Sequence, residues 1–158
     1  MKASQDTDET PVTLDIPLGE LRAIDERPYA EAIPAGVRVV MTSWAVYPAL
    51  DSSGPAGLST AVIQGELRGR LGFRGVSITD SLGATALDGF GTYANRGVLA
   101  VRAGADLILC SAQDVAENSP TVGEAVLRSL ARELGTGSRA RQIAEAAAMR
   151  VLHLRLQT

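Results

Sequence analysis

The stretch Gly72-Phe73-Arg74-Gly75-Val76-Ser77-Ile78-Thr79-Asp80-Ser81-Leu82 decides the fold. Val76 and Ile78, with short polar residues between them, read as a brief buried strand entered through a glycine-rich turn. The strand stops at Asp80, and an apolar, alanine-rich segment resumes soon after it. A carboxylate at the C-terminal tip of a strand, ahead of a βα loop, is where an α/β barrel keeps its chemistry. Asp and Ser are also preferred helix N-caps, so a structural role for Asp80 stands beside a catalytic one at this point.

Working outward, residues 37–42 form a second buried strand, and 44–57 a long loop with two prolines. Ser59 has the character of an N-cap, with Ala61, Val62, Leu67 and Leu71 following at helical spacing. Farther upstream, 18–34 is helical in pattern, but Pro28 inside it predicts a kink or two short helices, and Gly36 ends it. Downstream, 82–93 reads as loop with a short helix, and 96–103 as a helix stopped by Gly104. A third strand is expected over 105–111, then an amphipathic helix over 124–134 and a last one over 138–154. Strands alternating with helices predict an α/β fold with a parallel sheet.

The chain has 158 residues, the length of one domain, with 46% apolar residues and a formal net charge of −3. Such a balance gives no pull toward nucleic acid or an anionic membrane, and no apolar run is long enough to span one. The single cysteine, Cys110, excludes an intramolecular disulfide and any cysteine-rich zinc site, and reads as a buried structural thiol. No glycine-rich dinucleotide or phosphate loop occurs, and one histidine cannot make a zinc pair, so no metal or organic cofactor is expected. Arg68, Arg70 and Arg74 read as the solvated face and positive end of one helix. The first residues lack the apolar core of a signal peptide, which makes the chain as written cytoplasmic, or extracellular or cell-envelope if a further N-terminal segment precedes it.

Several segments carry a resemblance jointly. They are Met41-Thr42-Ser43-Trp44-Ala45-Val46-Tyr47-Pro48-Ala49-Leu50-Asp51, then Leu58-Ser59, then the run from Gly65 through Leu67-Arg68 and Gly72-Phe73 to Gly75, and finally Ala100 to Leu109 with its Ala103-Gly104-Ala105-Asp106. In that order and spacing they resemble glycoside hydrolase family 3, in particular its β-N-acetylhexosaminidase branch. The resemblance runs from about Asp6 through most of the chain and weakens after Ser111.

The resemblance implies a (β/α)₈ TIM barrel. Three strands in 158 residues fall short of the roughly 250 residues that a closed barrel needs. Residues 1–158 are therefore expected to be a single partial barrel domain: the last three β/α units plus C-terminal helices, beginning just after the family's lysine-histidine motif. The resemblance makes Asp80 the nucleophile of a retaining glycosidase, acting on O-glycosyl bonds of a β-linked N-acetylglucosaminide or β-glucoside. In this branch the general acid is a histidine paired with an aspartate on a flexible loop. That loop corresponds to residues 4–11, which offer Asp6, Asp8 and Glu9 but no histidine, while His153 lies in the terminal helix as a surface or packing residue. Either a carboxylate substitutes or the acid function is missing, and loss is the expectation. Ser81 stands where the branch usually has an aspartate, and Trp44 where it often has a histidine. Trp44 is read either as a rim residue stacking on substrate sugar or as a residue packed under the 45–57 loop. The chain is thus expected to be a truncated hydrolase, inactive alone. The alternative is a non-catalytic remnant or interaction subunit that completes its barrel with another chain or self-associates.

Overall fold

Three short parallel strands, β1 (Val39–Thr42), β2 (Val76–Ser81) and β3 (Leu107–Leu109), lie side by side in the order β1-β2-β3. The computed structural model describes residues 6–110 and 122–156. Parallel neighbours need crossovers. A π-helix, Ala61–Arg70, joins β1 to β2, and a 3₁₀ turn, Thr85–Phe90, with α3 (Tyr93–Ala103) joins β2 to β3. Two further helices, α4 (Val122–Thr136) and α5 (Ser138–Leu156), complete the described chain, with α4 packed along α3 and α5 reaching β2. This is the α/β architecture that the alternating pattern predicts.

Pro28 acts as its position predicts. A single α-helical turn, α1 (Leu18–Glu20), runs into the π-helical turn Leu21–Asp25, and α2 (Arg27–Ala32) starts afresh with Pro28 in its first turn, where a missing N–H costs nothing. The Ser59 hydroxyl accepts from the Val62 amide at 3.2 Å, serving the first turn of the π-helix. Gly104 ends α3 at φ +112, a left-handed conformation that a side chain would strain; a Cβ there would also meet the Gln64 amide at 1.8 Å.

Strand alternation sorts the sheet into two unlike faces. Val40, Thr42, Ser77 and Thr79 are buried on one, where Leu67 and Phe73 pack on Val40. On the other, Met41 pairs with Ile78 and Ile78 with Leu107, yet Val39 is 41% exposed, Met41 50% and Leu109 36%. At the start of this face Val76 is buried and lines a cavity together with Arg150 and Leu154 of α5, and Ile78 and Leu107 are half-buried. A sheet of parallel strands ordinarily has both faces covered.

The arginine reading needs correction. Arg68 is not solvated: its side chain is 9% exposed, and it donates to Asp106 at 2.6 Å, the Ser77 hydroxyl at 3.1 Å and the Gly75 carbonyl at 3.2 Å. Arg70 bonds Glu66 and Glu26, and Arg22 forks onto Glu66 with two hydrogen bonds of 2.8 Å. Burial pushes the Glu66 carboxyl up, but the guanidiniums of Arg22 and Arg70 outweigh it and hold it below the usual range. Burial and repulsion from Glu66 raise Glu26 instead. Helical spacing displays three charges on one segment but not the carboxylates that reach them from other elements.

Candidate active site

Asp80 sits at the C-terminal end of β2, the central strand, within the stretch between Ile78 and Ser81 where the register against β3 shifts by one residue. It is half-buried, and its Oδ1 accepts from the amide of Ser81 at 2.7 Å, its only hydrogen bond among the described residues. No helix begins at Asp80. The chain turns through Leu82-Gly83 into the 3₁₀ turn, so Asp80 serves no helix as an N-cap.

The two residues after Asp80 are held from outside. The Trp44 indole N–H donates to the Ser81 carbonyl at 2.7 Å, and Arg96 Nη1 donates to the Leu82 carbonyl at 2.8 Å. Arg96 continues with Nε to the Gly91 carbonyl at 3.0 Å and Nη2 to Asp88 at 3.2 Å, while its guanidinium lies 5.2 Å from the Tyr93 ring centre. Arg96 carries no motif that marks it in the sequence. Its signal was its place on the small-residue stripe Arg96, Gly97, Ala100, Ala103, which is the buried face of α3.

Trp44 is 0% exposed and packs with Leu82, Ala84, Leu87 and Val126. Its ring faces are occupied by protein. The sugar-stacking expectation for Trp44 therefore gives way to the packing one, because the loop after β2 folds back over the indole.

The segment read as the acid loop crosses this rim. The amide of Val46 donates to the Val12 carbonyl and that of Leu14 to the Val46 carbonyl, each at 2.9 Å, tying the segment to the chain beyond β1. Two residues of the loop beyond β2, Thr85 and Ala86, donate to the carbonyls of Asp8 and Thr7 at 3.1 Å each. Asp6 Oδ1 accepts from the Asp8 amide and thereby closes its own turn. His153 is exposed on α5 and lines a cavity with Val76 at the start of β2, the opposite end of the strand from Asp80. Cys110 is half-buried, a free thiol whose pKa burial pushes up; Ser111, the last residue of the strand expected over 105–111, lies outside the described residues.

A groove of about 300 Å³ runs beside β1, lined by Tyr29, Met41, Tyr47, Leu50 and Leu71 among others, and does not include Asp80. No group of three or more potential metal-ligating side chains occurs among the described residues, and no helix there is long and apolar enough to cross a membrane.

The family profile of the glycosyl hydrolase family 3 N terminal domain matches residues 2–154. The chain belongs to glycosyl hydrolase family 3. An uncharacterized secreted glycosyl hydrolase of Arthroderma benhamiae is 45% identical over 137 residues, which are 87% of this chain and 37% of that protein. A β-hexosaminidase of Chromobacterium violaceum is 38% identical over 117 residues, 74% of this chain and 31% of the relative. Among solved structures, the β-N-acetylhexosaminidase of Beutenbergia cavernae superposes with a TM-score of 0.82 at 31% identity, over 95% of this chain and 42% of that one. This family 3 chain thus spans less than half the length of each of these relatives.

Proposed function

We propose that this chain is the nucleophile-bearing part of a retaining glycosidase of family 3, acting on β-linked N-acetylglucosaminides or related β-glucosides. The observation that carries the reading is a half-buried Asp80 at the C-terminal end of the central parallel strand. Barrel enzymes keep their chemistry at that end of the strands. The three strands are read as the last three of an eight-stranded barrel whose interior face is the exposed one carrying Val39 and Met41. The β-hexosaminidase relatives support the substrate class, and the secreted relative supports action outside the cytoplasm.

In this reading the Asp80 carboxylate attacks the anomeric carbon as the glycosidic C–O bond breaks, and the departing oxygen takes a proton from a general acid. Water then cleaves the glycosyl-aspartyl ester and regenerates the carboxylate. The Ser81 amide, bonded to Oδ1, holds the carboxylate in one direction. The proton donor in this reading is a carboxylate of the 6–9 segment, which docks on the loop after β2, or a group supplied by a partner.

A second reading is an interaction subunit that completes its barrel with another chain. The exposed apolar face of the sheet favours it, as does the absence of a histidine on the docked 6–10 segment.

The test is hydrolysis of an aryl N-acetyl-β-glucosaminide by the product of the natural reading frame that carries this chain. Asp80→Ala is expected to lower kcat by about 10⁴-fold with little change in melting temperature. If the variant keeps most of the activity, the assignment of Asp80 is wrong. If the unaltered protein does not hydrolyse the substrate, the interaction-subunit reading replaces the enzymatic one.

A further inference from the structure

We infer that Trp44 and Arg96 are positioning residues for Asp80, acting as one clamp on the two peptide carbonyls that follow it. The inference rests on the reading of Asp80 as nucleophile and assigns roles to two residues that do not themselves touch substrate. A carboxylate at a strand tip can swing with its own backbone, and a nucleophile misplaced by about 1 Å loses on the order of 10²-fold in rate. The structure removes that freedom from two sides. The Trp44 indole reaches across from the end of β1 to the Ser81 carbonyl at 2.7 Å. Arg96, on α3, reaches the Leu82 carbonyl at 2.8 Å. The Leu82 amide is meanwhile tied to the Leu109 carbonyl of β3 at 3.1 Å. With these partners fixed, the Ser81 amide points at Asp80 Oδ1 and sets the direction of the carboxylate.

Both donors are buried, so neither competes with water for its carbonyl. Arg96 does more than hold one end. Its bond to the Gly91 carbonyl makes a single guanidinium grip both ends of the loop after β2, a use that depends on the planar fork and that lysine cannot reproduce. Trp44 is likewise held: Gly57 lies against the indole so closely that a Cβ would come within 2.5 Å of it. The clamp is therefore stiff at its anchor points.

The test uses Trp44→Phe, which removes the N–H and keeps an aromatic ring, Arg96→Lys, which keeps the charge and removes the fork, and the double variant. Two quantities are measured in the natural gene product well below each variant's melting temperature: kcat and KM for an aryl N-acetyl-β-glucosaminide, and amide hydrogen exchange across residues 81–91. Each single variant is expected to lower kcat about tenfold with KM within about twofold, and the double variant to lose less than the product of the two. Exchange across 81–91 should rise about tenfold while that of α5 stays unchanged. A merely structural role would lower the melting temperature and leave kcat of the folded protein intact, and that result overturns the inference. Unchanged exchange overturns it as well. An inactive unaltered protein, or an active Asp80→Ala, sinks the nucleophile reading instead, and the exchange measurement then decides the clamp by itself.

Discussion

Arg150 of α5 lays its guanidinium on Oδ1 of Asp106, with Nε at 2.9 Å and Nη2 at 2.7 Å, and so ties the last helix to the start of β3. The side chain of Asp106 is 0% exposed, and its second oxygen takes Arg68 together with the amide and hydroxyl of Ser77. One carboxylate thus joins the π-helix, β2, β3 and α5. Removing it leaves Arg68 buried with no charge partner, and breaking a buried pair in this way costs about 3–5 kcal/mol. Asp106→Ala is expected to lose that much in chemical denaturation. Arg150→Ala, at a partly exposed position, should lose only about 1.5–3 kcal/mol, the worth of hydrogen bonds to a charged group. Equal losses in the two variants would contradict the arrangement.

Asp51 makes the stability of the β1 loop depend on pH. Its carboxylate accepts from the Ser53 hydroxyl at 2.6 Å, the Ser59 hydroxyl, and the Ser53 amide at 2.9 Å, and these bonds hold its pKa below the ordinary 3.8. A depressed carboxyl stabilises the fold fully above its unfolded value, and the contribution is lost as pH falls through the folded one. Asp51→Asn should therefore melt at a lower temperature than the unaltered protein at pH 7. The gap should narrow below about pH 4. A gap independent of pH would show that the charge is not what these hydroxyls hold.

The exposed face of the sheet should find a partner. Val39, Met41 and Leu109 present exposed aliphatic surface along the sheet, and β1 is an edge strand of the three-stranded sheet described. Residues 1–158 prepared alone are expected to elute above monomer size in size-exclusion chromatography, with a concentration-dependent profile. Met41→Lys, which places a charge among these exposed aliphatic side chains, should shift the profile toward monomer. A sharp monomer peak across concentrations with cooperative thermal unfolding would count against a missing barrel partner.

Gly57 should not tolerate a methyl group. A Cβ there would lie 2.5 Å from the Trp44 ring and 3.0 Å from the Thr42 hydroxyl, both buried. Overpacking of this kind typically costs about 1–3 kcal/mol. Gly57→Ala is expected to lower the melting temperature and to quench or shift Trp44 fluorescence, because the indole is the side chain that must move. An unchanged emission spectrum with a lowered melting point would place the strain elsewhere.

The strands, the first helix break and the strand-end carboxylate are legible in the residues alone. Apolar runs bounded by turn residues marked all three strands, the Pro28 break divided the first helical segment, and Gly104 ended α3, because backbone sterics act locally and are legible in a few residues. The strand-end place of Asp80 is legible for the same reason, as a carboxylate near the end of a buried strand within eleven residues, while its reading as nucleophile is what the resemblance to the family implies. What Trp44, Arg68 and Arg96 do depends on tertiary packing. Trp44 reads equally as a rim residue and as a core residue from the sequence, and it is the loop after β2, folded over the indole, that makes it core. Arg68 read as solvated until Asp106, 38 positions away, was brought beside it. Hydrogen bonds and ion pairs of this kind join groups distant along the chain, and their partners are fixed by which elements pack together, a matter on which local spacing is silent.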